Sequence, residues 1–495
     1  MNYADLFRVT LPETALEVAA LVVLVVDLGF LRKAALKVRV AVAALLGVAG
    51  CGAALWAISI QTGDGLYVDE SLVLLNGGGV AVAQVGILIL TAITLLLLID
   101  SIFTKHVGEF VAVVLMAATG GFIIAGAQDL LVIFVGLELL SLGLYILTAF
   151  NKGSGMSAEA ALKYYLFGGM SAAFLLFGFS YFYGLGGSTN LVKIHEAIAA
   201  SGPSPLFYIA WILVVAGLGF KVAAVPFHLW AADTYEGAPA PAAAFIASVS
   251  KVASFALLIS LGLSWLRIGE GRGAWPQLAG TLLVLAAASM VVGNLAALAQ
   301  VSVRRLLAYS AIAHAGYILL GIAFVPGDLS STYSGAKAVL YYVLTYGLTT
   351  IGAFGVVDVV QRATGSDRFD AFLGLHKRNP VLAAVLLVLF LSLAGIPPLV
   401  GFWAKFNLFA AVLGVSAGPV PFALVALAVA LSAVSLYYYL QVLKRAYVMP
   451  GLDETPIKAH PVTMAVLVLI AAAVVVLGCF PALLQGWIAG FYPVL

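Results

Sequence analysis

The stretch GLGFKVAAVPFHLWAADTYEGAPAP, Gly217 to Pro241, decides how the rest of the chain is read. It begins apolar enough to enter a membrane, yet it carries Lys221, then Pro226 and His228, then the carboxylates Asp233 and Glu236, and closes on Pro239-Ala240-Pro241. A lysine at the centre of a bilayer costs about 2.5–3.5 kcal/mol on insertion scales. A proline in the same helix frees a carbonyl that lipid cannot satisfy. Both are tolerated where the helix faces other helices or a wet cavity, so the pairing points to an ion path.

The composition sets the environment. Of 495 residues 63% are hydrophobic and 9% are charged, with a mean hydropathy of +1.13. Soluble domains carry roughly 25% charged residues, so this is a polytopic membrane protein. The 51 glycines suit close helix packing in lipid. A net charge of +2 gives no footprint for a nucleic acid. Cys51 and Cys479 lie in apolar runs far apart in sequence and make neither a disulfide framework nor a metal site. No basic segment precedes the first apolar run, and Glu13 and Glu17 sit at its start, so that helix is expected to be retained and not cleaved as a signal peptide.

Apolar runs divided by polar or Gly/Pro turns predict fourteen spans, near 13–31, 40–60, 78–100, 108–126, 129–150, 160–184, 206–230, 242–264, 277–299, 306–324, 334–361, 381–412, 420–443 and 461–483. The longest connection, near 185–205, reads as a loop. The loops after the odd-numbered spans hold fifteen basic residues, Arg32, Lys33, Lys37, Arg39, Lys105, Lys152, Arg304, Arg305, Arg362, Arg368, Lys377, Arg378, Lys444, Arg445 and Lys458; the other face has Arg8, Lys193, Arg267 and Arg272. The positive-inside rule then puts both termini outside, which is periplasmic in a bacterial inner membrane.

Five lysines remain inside spans: Lys163, Lys221, Lys251, Lys337 and Lys405. Among the acidic residues only Glu138 lies near mid-span, and His314 is also deep. A snorkelling side chain or a packing ion pair is the plain explanation for any one of these, above all for Lys337, about a turn into its span. Burying several cations without function is costly, which sets Lys221, Lys251 and Lys405 apart.

A repeat is also visible. KYYLFGGMSAAFLLFG (163–178) matches LYYVLTYGLTTIGAFG (340–355), and Gly219-Phe220 before Lys221 pairs with Gly401-Phe402 before Lys405. Span 12 has its own breaker, Pro397-Pro398. The expected fold is an all-α polytopic membrane protein of about fourteen helices, with two inverted five-helix repeats and broken helices 7 and 12. The expected divisions are 1–105 (helices 1–3), 106–265 (first repeat), 266–446 (second repeat) and 447–495 (helix 14).

The motifs GLELLSLGLYIL around Glu138, FKVAAVPFHLWAADTYEGAPAP, SVSK ending at Lys251 and SLAGIPPLVGFWAKF around Lys405 resemble the antiporter-like membrane subunits of respiratory complex I, the NADH:quinone oxidoreductase. The resemblance covers nearly the whole chain. It is nearest the subunit N branch: no long C-terminal extension follows, and position 405 is a lysine and not a glutamate. It implies that Glu138 and Lys221 form a switched charge pair, that Lys251 is the central lysine, His314 a relay on the axis, and Lys405 the terminal lysine of a second half-channel. Lys163 would serve the intake side of the first half, with His228 and Lys337 as further supporting relay groups. It also implies neighbouring membrane-arm subunits as partners, and FMN, iron–sulfur clusters and quinone in other subunits. Where the family often reads LPD after span 7 this chain reads Ala231-Ala232-Asp233, with no expected consequence for the proton path.

Elementary electrostatics allows such a relay. Burial lowers a lysine's pKa by up to 3–5 units from about 10.4, and a neighbouring carboxylate raises it again. At an effective dielectric of about 20, a pair at 4 Å interacts by roughly 4 kcal/mol, enough to decide whether the lysine keeps its proton. The sequence offers no nucleotide-binding fingerprint, cysteine cluster or paired deep histidines for redox chemistry; GLGG at 184–187 is only a loop. The alternatives are a subunit of a multi-subunit cation/proton antiporter, an independent antiporter, and a passive scaffold. The lysine-rich interior disfavours direct cation binding, and the five intramembrane lysines argue against a scaffold.

Overall fold

Polar caps start many of the helices in this chain. In the computed structural model, which describes residues 3–61, 65–68, 71–265, 275–324, 335–415, 418–451 and 455–491, Asp129, Ser154, Asn190, Ser204, Ser302, Asn379 and His460 each accept a hydrogen bond from the first turn that follows. Such a cap contributes about 1 kcal/mol. Proline adds a preset start at Pro205, Pro380, Pro419 and Pro461.

The α-helices are α1 (Tyr3–Val9), α2 (Leu11–Val25), α3 (Leu36–Ile60), α4 (Ala81–Leu98), α5 (Val107–Gly126), α6 (Leu130–Thr148), α7 (Gly155–Gly186), α8 (Leu191–Ser201), α9 (Pro205–Val222), α10 (Ala231–Gly237), α11 (Ala240–Trp265), α12 (Trp275–Leu298), α13 (Val303–Ile322), α14 (Gly335–Thr364), α15 (Leu375–Arg378), α16 (Pro380–Ala394), α17 (Val400–Val415), α18 (Pro419–Tyr447), α19 (Pro461–Cys479) and α20 (Pro481–Phe491). Among the described residues twelve helices are long and apolar enough to cross a membrane, and α16 and α17 are shorter apolar helices. The α2 helix continues through a π-helical turn, Val26–Phe30.

Hydrogen bonds between connections sort the helix ends into two faces. On the basic face, Arg362 reaches Asp100 at 2.8 Å, the amide of Val303 reaches the carbonyl of Asp367, and that of Gly374 reaches Arg445. On the other face, Gln128 bonds Val73, Leu130 bonds Thr189, and Asn76 bonds Glu13. The connections that the alternating spans assign to one side are thus joined to each other.

Burial then separates axis from flank. The apolar window of α11 is fully buried, and those of α13 and α14 are 89% and 83% buried, against 28% for α18 and 33% for α7. Lys251, His314 and Lys337 belong to those three central helices. Glycine permits the close contacts: a Cβ on Gly293 of α12 would lie 2.5 Å from the Ala313 amide nitrogen of α13.

Two expected long spans are broken. The α9 helix ends at Ala223 in the left-handed region (φ 56°), with the amides of Ala223 and Ala224 folding back onto Phe220 and Gly219. The α16 helix ends at Gly395 (φ 88°), whose amide folds back onto Leu391 and Ser392. The Val225–Pro226 and Pro397–Pro398 peptides that follow are both cis.

Two readings need correction. The 185–205 connection is not only a loop: Asn190 caps α8, and Leu191, Ile194 and Ile198 bury one side of it. The fold is helical as expected, with one small addition, an antiparallel hairpin of β1 (Gly65–Val68) and β2 (Ser71–Leu75) in the connection between α3 and α4. Arg304, counted as a loop cation, is buried in the first turn of α13 and donates to the carbonyl of Ala238. Arg267, Arg272, the chain's last residue and the division at 266 lie outside the described residues.

Candidate functional site

A helix that stops inside the protein leaves carbonyls without amide partners, and its C-terminus carries about half a negative charge. Both breaks meet this with lysine. Lys251, from α11, donates to the carbonyl of Val222 at the end of α9. Lys405, on α17, donates to the carbonyls of Leu393 at 3.2 Å and Ala394 at 2.9 Å, at the end of α16. Its third proton goes to Ser432 Oγ at 2.7 Å. A hydrogen bond to a charged group contributes about 1.5–3 kcal/mol, while burying an ion costs several kcal/mol. These opposing terms are of similar size, so a modest change nearby can decide the charge state.

Lys221 is bound differently. Its ammonium donates to Ser141 of α6 and not to the carbonyls of its own broken helix. It lies 5.7 Å from the Tyr145 ring centre and 5.6 Å from that of Phe220. Behind these rings Tyr164 stacks on Trp230 at 4.2 Å, and Trp230 Nε1 donates to the carbonyl of Phe220 at 3.0 Å. Free carbonyls of a broken helix thus hold Lys405 but not Lys221, although both lie beside a break. A helical side chain tilts toward the N-terminus of its own helix. Lys221 precedes its break and leans away from it; Lys405 follows its break and leans into it. Lys251, not Lys221, is thus the counterpart of Lys405 on a broken end.

Glu138, half-buried, lies three residues before Ser141 on α6, so the two share a helix face. Among the described residues no ion pair joins Glu138 to Lys221; the hydroxyl of Ser141 takes the ammonium instead. On the axis, His314 Nδ1 pairs with Tyr342 Oη at 2.8 Å, and its ring stands 4.8 Å from Tyr346 and 5.8 Å from Tyr317. Tyr317 continues the line to Lys405, whose ammonium is 5.5 Å from its ring centre. Asn294 donates to Tyr317 Oη at 3.1 Å and accepts from Tyr438 at 3.2 Å. Buried His314 Nε2, Tyr341 Oη, Thr350 Oγ1 and Ser254 Oγ have no partner among the described protein atoms, which suits a site shared with water.

The remaining expected residues are more peripheral. Lys163 sits on the basic face, 2.7 Å from both Glu159 and Asp233. Arg305 joins Asp233 and Glu236, each at 2.8 Å. Burial pushes the Asp233 carboxyl up, but the bonds from Lys163 and Arg305 outweigh it and hold Asp233 below the usual carboxylate value. A cavity of about 570 Å³ opens beside this cluster, lined by Glu236, Arg304, Arg305 and Asp358 among others. His228 is half-buried in the α9–α10 break, with Nδ1 unpartnered among the described residues. Lys337 is buried on the first turn of α14. The sequence reading missed Ser141, Ser432, the tyrosines and Asn294. These types are common in membrane helices, and nothing in their spacing says which lysine they meet.

A polytopic helical fold with two interrupted helices and lysines at the breaks defines an antiporter-like membrane subunit, and comparison agrees. The family model described as NADH:quinone oxidoreductase/Mrp antiporter, TM, matches residues 127–434. NADH-quinone oxidoreductase subunit N 2 of Acidobacterium capsulatum is 49% identical over 503 residues, covering 99% of each chain. A chain of respiratory complex I from Thermus thermophilus with bound Aureothin superimposes with a TM-score of 0.76 at 35% identity, covering 96% of this chain and 98% of that one. A chain of the Mrp complex from Dietzia sp. shares the fold at a TM-score of 0.79 and 22% identity, over 97% and 96%. The chain belongs to the NADH-quinone oxidoreductase subunit N family.

Proposed function

We propose that this chain translocates protons as a membrane-arm subunit of an NADH:quinone oxidoreductase in a bacterial inner membrane. Its basic face is cytoplasmic, both termini are periplasmic, and fourteen crossings contain two inverted repeats with breaks at α9–α10 and α16–α17. The observation that carries the reading is the set of ionisable side chains inside the bundle, half-buried Glu138 with buried Lys221, Lys251, His314 and Lys405, two of the lysines being seated on broken helix ends.

Neighbouring membrane subunits flank the chain, and FMN, iron–sulfur clusters and quinone reside in partner subunits, where the electrons move. In this chain Glu138 approaches or leaves Lys221 by exchanging places with the Ser141 hydroxyl. The approach favours the protonated lysine by a few kcal/mol at an effective dielectric of about 20; withdrawal releases the proton toward Lys251. His314, with the tyrosines and water, passes it on to Lys405. Lys163 and the Asp233–Arg305–Glu236 cluster form the cytoplasmic intake, and His228 and Lys337 support the two halves.

The test is proton pumping per electron in membrane vesicles carrying Lys251→Ala or Lys405→Ala, with assembly checked separately. Loss of pumping in an assembled complex is the expected result, and normal pumping in both rejects the relay. The alternative, a subunit of a cation/proton antiporter, shares the fold and is distinguished by co-purification: flavin and iron–sulfur subunits accompany the chain only under the reading preferred above.

A further inference from the structure

A broken helix leaves a short piece that something else must hold. Beyond the end of α9, the helix α10 lies between α7 and α13. Gly237 permits the first contact: a Cβ there would come 2.6 Å from both the Met156 carbonyl oxygen and Ala160 Cβ of α7. Two neighbouring arginines in the first turn of α13 make the second. Arg304 donates to the carbonyl of Ala238, the C-cap of α10, and to Gln361 Oε1 at 3.3 Å. Arg305 donates to Asp233 and Glu236 on the same short helix. A cation beside the last carbonyls of a helix satisfies groups that the helix itself leaves without partners. Arg304 is only 4% exposed, and burying a guanidinium is costly unless its bonds are needed.

The other end of α10 reaches Lys221. Its N-cap is Trp230, whose Nε1 holds the Phe220 carbonyl at 3.0 Å and whose ring lies 4.2 Å from Tyr164 and 5.2 Å from Phe220. Tyr164 in turn packs edge-on against Tyr145 at 4.8 Å. Phe220 and Tyr145 are the rings that wall the Lys221 ammonium. In the opposite direction α13 carries His314, about 15 Å along the helix from Arg304. An unbroken series of contacts thus runs from the helix of His314, through the two arginines and α10, to the walls around Lys221. The break at Ala223 is where α10 can turn, and the cavity of about 570 Å³ along Glu236, Gly237 and Ala238 leaves space beside its far end.

We infer that Arg304 and Arg305 are positioning residues for the relay: by gripping α10 they let the second repeat set the walls around Lys221. The two halves are then joined mechanically as well as through their ionisable groups. The inference rests on the proton-relay reading above. When α13 shifts, the arginines carry α10 with it, Trp230 changes its hold on Phe220 and Tyr164, and the surroundings of Lys221 change. Neither arginine carries a proton itself, because a guanidinium keeps its own.

The test is proton pumping per electron by the intact complex in vesicles, with assembly checked separately. Arg304→Gln should lower pumping about fivefold, the low end of ordinary coupling between sites. Arg304→Lys, still able to donate to the Ala238 carbonyl, should recover most of the loss. Trp230→Phe deletes the bond to Phe220 and should cost a similar amount. The double variant separates positioning from general loosening: acting in series, the two losses do not multiply, and the double variant pumps like the worse single one. If Arg304→Gln does not assemble, Arg305→Gln, whose side chain is 29% exposed, takes its place in the same cycle. Losses that multiply overturn the inference and leave the lysine relay standing. So does full pumping by the assembled arginine variant when Lys221→Ala does not pump. Normal pumping by Lys221→Ala overturns the relay and the inference together.

Discussion

Lys221, Lys251 and Lys405 stand out in the sequence because nothing near them in the chain shares their charge, and all three are buried. Their partners are another matter. Ser141, Ser432 and Tyr317 come from other helices, and only the packing reveals that they meet these lysines. The hydroxyl between Glu138 and Lys221 bears on how strongly the pair is coupled. With Ser141→Ala the ammonium loses a charge-assisted bond of about 1.5–3 kcal/mol and turns to Glu138. Slower pumping is the expected outcome, measured as vesicle acidification at matched NADH oxidation; an unchanged rate means the serine is a bystander. Glu138→Gln keeps the shape and removes the charge that can hold the lysine protonated. Pumping should weaken, with slower quinone reduction where the two are coupled, and Glu138→Asp should be milder. Full pumping by an assembled Gln variant removes Glu138 from the mechanism.

The breaks in α9–α10 and α16–α17 were readable from Pro226 and Pro397-Pro398, but their register was not. Matching Gly-Phe pairs aligned Lys221 with Lys405, whereas one precedes its break and the other follows it. The α8 helix was hidden because it is short and half polar, and the β1–β2 hairpin because membrane periodicity says nothing about connections. Gly395 shows what a break demands. It lies at φ 88°, and a Cβ there would come within 3.0 Å of Lys405 Cδ and 3.2 Å of its Nζ. A left-handed residue with a side chain costs about 1–2 kcal/mol, so Gly395→Ala should assemble less well and displace the ammonium from the Leu393 and Ala394 carbonyls. Lower pumping per assembled complex is the readout, and an unaffected variant would show that this seat is not needed. The α10 cluster yields a pH prediction. Asp233 is held below its ordinary value of 3.8 in the fold. Its contribution to stability is therefore present above that value and is lost as the pH falls through the lowered one. Asp233→Asn should remove that acid-side component from thermal unfolding in detergent; an identical acid limb in both proteins contradicts the assignment.

Across the whole chain, the alternation of basic and non-basic connections was legible because lipid forces every crossing to be a helix and topology follows the lysines and arginines. The cross-connection bonds, such as Arg362 to Asp100 and Gly374 to Arg445, are consistent with that alternation. A reporter placed in the connection near Lys377 should read as cytoplasmic; a periplasmic reading would mean that the crossing count is wrong by one. What the sequence could not supply was depth within the bundle, since α7 and α11 are both apolar while one is a flank and the other the axis. The central claim is that the buried lysines take up and release protons and are not fixed charges. Arginine stays protonated, with a pKa above 12, and would stall a group that must let go. The decisive measurement is proton pumping per electron in vesicles with assembled Lys221→Arg complex beside Lys221→Ala. The two should be nearly equally damaged, although arginine preserves the charge; normal pumping with arginine would make Lys221 a fixed electrostatic element and not a proton carrier.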